Sequence, residues 1–211
     1  MKIILIQQAQ TDMPWAPRCS AQAFARAAEE ELSRGAAPVS VRRSDAAAYR
    51  VYTGTNRASR ETAELLFSLS GPPTQTPLLD EAAPQPFRDT QTEYPLSLWR
   101  TMAEVQWALG SARQGESREE TLRRAGEFVD RLEEEEWDSV VICRSRIMAS
   151  LKTVLRRRGY LLEGGGLRSR PLERVRASKR SLHCGGCHHN CLLTEAKCHI
   201  GQSKARSGGL G

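Results

Sequence analysis

Lys2-Ile3-Ile4-Leu5-Ile6-Gln7-Gln8-Ala9-Gln10-Thr11 opens the chain, and its reading decides the fold. Ile3 to Ile6 is an unbroken apolar run with polar residues on both sides. A strand half-exposed to water would alternate; a continuous run is the pattern of a strand covered on both faces, as in a parallel sheet between layers of helices. The run is too short for a signal peptide or a membrane span, and no other stretch approaches a span, so a cytoplasmic protein is expected.

Working outward, strand and helix signals alternate. Ser20 caps a helix reaching about Arg34, with Phe24, Ala27, Ala28 and Leu32 on one face. Val51-Tyr52-Thr53 reads as a strand, and residues 57–68 as a partly apolar helix stopped by Gly71-Pro72-Pro73. Leu78-Leu79 reads as a short strand, and 82–94 as a Pro-rich loop. Residues 96–109 carry Trp99, Met102, Val105 and Trp107 and read as a helix. Ser117 and Glu120 form a capping box that opens a helix to about Glu136, with Leu122, Ala125, Phe128, Val129 and Leu132 as its core stripe. Val140-Val141-Ile142 is another buried strand, 147–158 a helix, and 172–177 a last strand. The expectation is a three-layer α/β/α domain on a mainly parallel sheet, spanning residues 1–178, with a tail at 179–211.

Four features in order along the chain resemble the histidine phosphatase (phosphoglycerate mutase-like) superfamily. Leu5-Ile6-Gln7-Gln8-Ala9-Gln10-Thr11 is similar to its opening Leu-Ile-Arg-His-Gly/Ala-x-Thr. Val51-Tyr52-Thr53 with Arg60-Glu61-Thr62-Ala63-Glu64 is similar to its second strand and following helix. Leu79-Asp80-Glu81 resembles its Leu-x-Glu, and Ser139-Val140-Val141-Ile142-Cys143-Arg144 its strand ending in Val-Thr-His-Gly. The resemblance implies phosphoryl chemistry at the strand ends. A histidine attacks phosphorus, two arginines and a second histidine hold the phosphoryl oxygens, and an acid protonates the leaving oxygen.

This chain departs from that pattern where the chemistry lies. Gln8 stands at the nucleophile position and Gln7 at the adjacent arginine. Cys143 stands at the second histidine, with Arg144 after it. The helix arginine falls on Ala58, with Arg57 and Arg60 beside it; a one-residue adjustment makes it Arg57. Glu81 alone remains as an acid. Residues 1–182 contain no histidine at all. A glutamine amide nitrogen is not basic and forms no phosphoenzyme, and removing a catalytic unit of this kind costs several orders of magnitude in rate. The reading is a pseudoenzyme whose pocket binds a phosphorylated small molecule or a protein partner through Gln7, Gln8, Arg57, Arg60 and Arg144. A working phosphomonoesterase using Cys143 or Glu81 is an alternative: arginines beside a strand-end cysteine would lower its pKa. The tyrosine-phosphatase spacing, however, needs an arginine six residues on, where this chain has Ala149.

All four histidines and four of the six cysteines lie between His183 and His199. Cys184, Cys187, Cys191 and Cys198 have the spacing x2, x3, x6, and Gly185-Gly186 frees the backbone for a tight knuckle. Four thiolates suit a tetrahedral zinc ion and equally an iron–sulfur cluster. Zinc is the leading expectation, with a redox or interaction module built on an iron–sulfur cluster or zinc as the alternative function and a disulfide-bonded tail as the bland one. The charge is uneven. Fifteen Lys or Arg against three acids give residues 144–211 a charge of +12, which leaves −6 in 1–143 from the total of +6. A basic end can meet phosphates or nucleic acid, but Tyr160 is the single aromatic residue among those arginines, so base stacking has little support.

Overall fold

The computed structural model describes residues 1–166 and 170–179. In chain order the strands are β1 (Lys2–Gln7), β2 (Arg18–Cys19), β3 (Ser44–Asp45), β4 (Arg50–Thr53), β5 (Phe67–Ser68), β6 (Thr74–Gln75), β7 (Tyr94–Pro95), β8 (Ser139–Cys143), β9 (Tyr160–Glu163) and β10 (Arg174–Lys179). The helices are α1 (Ala21–Ser33), α2 (Arg57–Leu66), α3 (Leu96–Ala108), α4 (Arg118–Glu135) and α5 (Ser145–Arg157).

Six strands form the central sheet in the order β6-β4-β8-β1-β10-β9. The four from β6 to β1 are parallel; β10 runs antiparallel to both of its neighbours. The opening apolar run behaves as its pattern requires. Ile3, Leu5 and Ile6 are fully buried, because β1 lies between β8 and β10 and is covered on both faces. On one face Ile3 and Leu5 pack with Val141, with Phe128 and Leu132 of α4, and with Ile147 and Leu151 of α5. On the other, Ile6, Val140 and Ile142 pack with Ala63 and Leu66 of α2. The domain is therefore α/β with a mainly parallel central sheet between helical layers.

A third cluster, under α1 and α3, is aromatic. Phe24, Trp99 and the partly buried Phe87 and Tyr94 pack together, and the Trp99 indole donates to the Cys19 carbonyl at 2.9 Å. Cys19 itself lies in a two-residue strand paired with β7.

Helix starts follow their chemistry. The Ser117 hydroxyl accepts from the Glu120 amide, and the Glu120 carboxylate accepts from the Ser117 amide, completing the capping box of α4. Ser20 and Asn56 cap α1 and α2. One expectation is corrected, and one strand is added. Leu78 and Leu79 belong to a 3-10 turn, Pro77–Leu79: proline at its first position pre-sets the turn and the Thr76 side chain caps it. Strand β9 carried no reading of its own, yet Gly159, at φ 83°, turns the chain out of α5 directly into it.

The described residues all belong to a unit running from Met1 to Arg180. No helix among them is long and apolar enough to cross a membrane. Cys184, Cys187, Cys191 and Cys198 lie outside the described residues.

Candidate functional site

The C-terminal ends of β1 and β8 lie side by side, with Gln7 in register with Cys143. The backbone is held there from both sides. The Gln8 amide donates to the Cys143 carbonyl at 2.9 Å, and the Gln7 amide donates to the Glu173 carbonyl at 3.0 Å. Strand ends of an open parallel sheet leave a crevice where the chains diverge into helices. Here it has a volume of about 460 Å³ and is walled by Gln7, Gln8, Glu81 and Arg144, together with Trp15, Glu31, Arg100, Glu104 and Arg146.

Gln8 is 7% exposed, and its Oε1 accepts from the Ser59 hydroxyl at 2.7 Å. Ser59 is itself fixed at the start of α2, where its amide donates to the Asn56 side chain at 2.8 Å. The next amide, Ala9, donates to the Thr62 hydroxyl at 3.0 Å, which donates in turn to the Ala58 carbonyl. The first turns of α2 thus hold the strand-end loop by two buried hydrogen bonds, Ser59 to Gln8 and Ala9 to Thr62. A primary amide held this way can donate and accept hydrogen bonds, and its nitrogen is not basic.

The Glu81 side chain is 6% exposed, with one oxygen hydrogen-bonded and the other ion-paired. Oε1 accepts from the Ile147 amide at 2.9 Å, and Oε2 faces Arg144 Nε at 3.5 Å. Arg144 is the N-cap of α5 and makes no side-chain cap bond, so the Glu81 carboxylate supplies the cap from outside the helix. Burial pushes its carboxyl above the ordinary range, against the pull of Arg144 and of the Ile147 amide. The sequence offered Glu81 as an acid; in the fold it is a tethered capping group.

Cys143 is fully buried and does not line the crevice. Burial pushes its thiol well above the ordinary value, and Glu81 adds to the effect. The lowered pKa expected from Arg144 and Arg146 is corrected, because both arginines are taken up by carboxylates and the sulfur lies among apolar side chains.

Of the sequence-derived residues, Gln7, Gln8, Glu81 and Arg144 come together. Ala58 is buried in the first turn of α2 and does not line the crevice. Arg57 and Arg60 also lie outside the lining; they point along the helix surface to Glu61 and Glu64, one turn on. The other charged walls were missed. Arg144 faces Glu31 at 3.3 Å, Arg100 lies 3.9 Å from Glu31 and above the Trp15 ring, and Arg146 bonds Glu104 at 2.8 Å. Glu31 also accepts from the Thr11 hydroxyl and the Trp15 indole. These groups come from α1, α3 and the start of α5. In sequence each is an ordinary helical charge, and only the layer packing turns them toward one opening.

Among the described residues no cluster of three or more His, Cys, Asp or Glu side chains has a metal-holding arrangement. No protein-family model matches the chain, and no curated protein matches it. Among solved structures it is similar to a phosphoserine phosphatase from Entamoeba histolytica in complex with 3-phosphoglyceric acid, at 11% identity and a TM-score of 0.45, covering 74% of this chain and 80% of that one. A mutant of the same enzyme in complex with phosphoserine has the same identity and coverage, with a TM-score of 0.46.

Proposed function

We propose that this domain is a non-catalytic, histidine-phosphatase-like protein whose strand-end crevice binds a phosphorylated ligand, or a partner carrying one, without hydrolysing it. The observation that carries the reading is Gln8. It occupies the strand end where a nucleophile is needed, and its amide is fixed by Ser59. Residues 1–182 contain no histidine that could replace it. The two other candidate groups support the same reading, since Cys143 is buried with a raised pKa and Glu81 is engaged in capping α5. Binding is supported by the donors that line the opening: the side-chain amides of Gln7 and Gln8 and the guanidinium of Arg144, which a phosphate would take over from Glu31 and Glu81. The test is hydrolysis of p-nitrophenyl phosphate by the full chain, beside calorimetric titration with inorganic phosphate. Binding with no turnover above buffer is expected. Turnover that Gln8→Ala or Cys143→Ser abolishes would overturn the reading.

A second activity is proposed for the tail. The x2, x3, x6 spacing of Cys184, Cys187, Cys191 and Cys198 supports a thiolate metal site, with zinc first and an iron–sulfur cluster as the alternative. The sequence of this segment is short and poor in large apolar residues, so the metal would supply most of its folding energy. Elemental analysis of anaerobically purified protein distinguishes the two. About one zinc per chain without colour fits a structural site, whereas iron with acid-labile sulfide would make redox chemistry the leading role.

A further inference from the structure

We propose that the crevice selects a small phosphorylated amine, one ligand that presents a phosphate and an ammonium group together. This rests on the phospho-ligand reading above and names the class of ligand.

The charge balance of the walls carries the argument. A site built for a bare phosphate dianion leaves its arginines free to meet it. This crevice does not. Three arginines, Arg100, Arg144 and Arg146, line it beside three carboxylates, Glu31, Glu81 and Glu104. Each arginine already faces a carboxylate: Arg144 meets Glu31 and Glu81 at 3.3 and 3.5 Å, Arg100 meets Glu31 at 3.9 Å, and Arg146 meets Glu104 at 2.8 Å. The six formal charges cancel. A phosphate that draws an arginine to itself strips a carboxylate of its partner, and a desolvated carboxylate without a cation is costly. A ligand that carries its own ammonium repairs that loss. The phosphate takes the guanidinium and the ammonium takes the carboxylate, so every charge remains paired.

Two polar atoms at the same walls point the same way. Arg146 is 6% exposed, and its Nη2 is buried without a partner; Gln7 Oε1 is likewise buried without a partner. One is a donor that needs an acceptor and the other an acceptor that needs a donor, which a ligand of both signs supplies. Arg146 is held by Glu104, so a ligand reaches its guanidinium by exchange with that ion pair. Glu104 is the exchangeable member. Its side chain is half-exposed, it bonds Arg146 through Oε1, and its Oε2 has no hydrogen-bond partner among the described residues. It is open at the mouth for an ammonium group. Met13, Trp15 and Pro171 provide apolar wall for a short carbon spacer, and about 460 Å³ suits a ligand of metabolite size.

The test uses the full chain and three probes in parallel calorimetric titrations: O-phosphoethanolamine, inorganic phosphate and ethanolamine. The expected result is that O-phosphoethanolamine binds at least tenfold more tightly than either half. Glu104→Gln should lose several-fold of that affinity while its affinity for phosphate holds or rises; circular dichroism and the unfolding midpoint check that it is folded. Phosphate binding as tightly as O-phosphoethanolamine, or Glu104→Gln leaving the tenfold preference intact, would overturn the proposal and leave the phospho-ligand reading standing. Binding by none of the three probes would overturn both.

Discussion

Glu81 permits a quantitative trial of the site's architecture. Replacing it with alanine removes the acceptor for the Ile147 amide and one of the two carboxylates that face Arg144, at a position with almost no access to water. Losing a helix cap costs about 1 kcal/mol, and leaving a buried donor unmet costs about 1–3 kcal/mol. The two overlap at the Ile147 amide, so Glu81→Ala is expected to lower stability by roughly 2–4 kcal/mol once the missing carboxylate is included. Arg144 keeps Glu31, which bounds the loss. Glu81→Gln behaves differently, because its carbonyl still accepts from Ile147 and it carries no charge to bury. The folded carboxyl titrates above its unfolded value, so the protonated form is the one that folding favours. That contribution is fully present below the unfolded pKa and is lost as pH rises through the raised folded value. At neutral pH Glu81→Gln is therefore expected to match or exceed the wild type in stability. As pH falls through the folded pKa toward about 4.5, the wild-type carboxyl becomes a neutral isostere of the amide and the two should converge. Urea unfolding followed by tryptophan fluorescence between pH 4.5 and 8 measures both differences. Wild-type stability in Glu81→Ala, or a gap between wild type and Glu81→Gln that widens on acidification, would refute this account.

Three further outcomes follow from the packing. Cys143 should resist iodoacetamide at pH 8 in the folded protein and react once urea is added, as read by mass spectrometry of its peptide, because its thiol is fully buried with a raised pKa. Trp99→Ala should cost about 3–5 kcal/mol in urea unfolding, since it removes a buried indole packed on Phe24 and Phe87 together with its bond to the Cys19 carbonyl. Glu133 contributes to acid sensitivity. Burial raises its carboxyl, but Lys179, Arg158 and Tyr160 together hold it below the ordinary range. Its stabilisation is present above the unfolded pKa and is lost as pH falls through the folded one, so Glu133→Gln should be destabilised at pH 7 and should lose less than the wild type between pH 5 and 3.

The sequence was informative where the signal is local. Ile3 to Ile6 required a strand covered on both faces, and Ser117 with Glu120 required a helix start, because runs and caps are set by neighbours within a few residues. That residues 1–182 contain no histidine was equally legible, because residue type does not depend on the fold. What could not be read locally was which charges converge. Arg57 and Arg60 were candidates by proximity to Ala58, yet helix geometry sends them to Glu61 and Glu64 along the surface of α2. Glu31, Arg100 and Glu104 gave no signal, because each is an unremarkable helical charge until α1 and α3 are packed around the end of β1. The environment of Cys143 turned on the same point. Its arginine neighbours suggested an activated thiol, but burial and the diversion of those arginines to carboxylates decided the sign of the shift. Sequence by itself determined the strand, the caps and the absence of histidine from residues 1–182, all of which depend on residue type and spacing. Tertiary structure decided the charge balance of the crevice, because burial and pairing across layers are properties of distance in space.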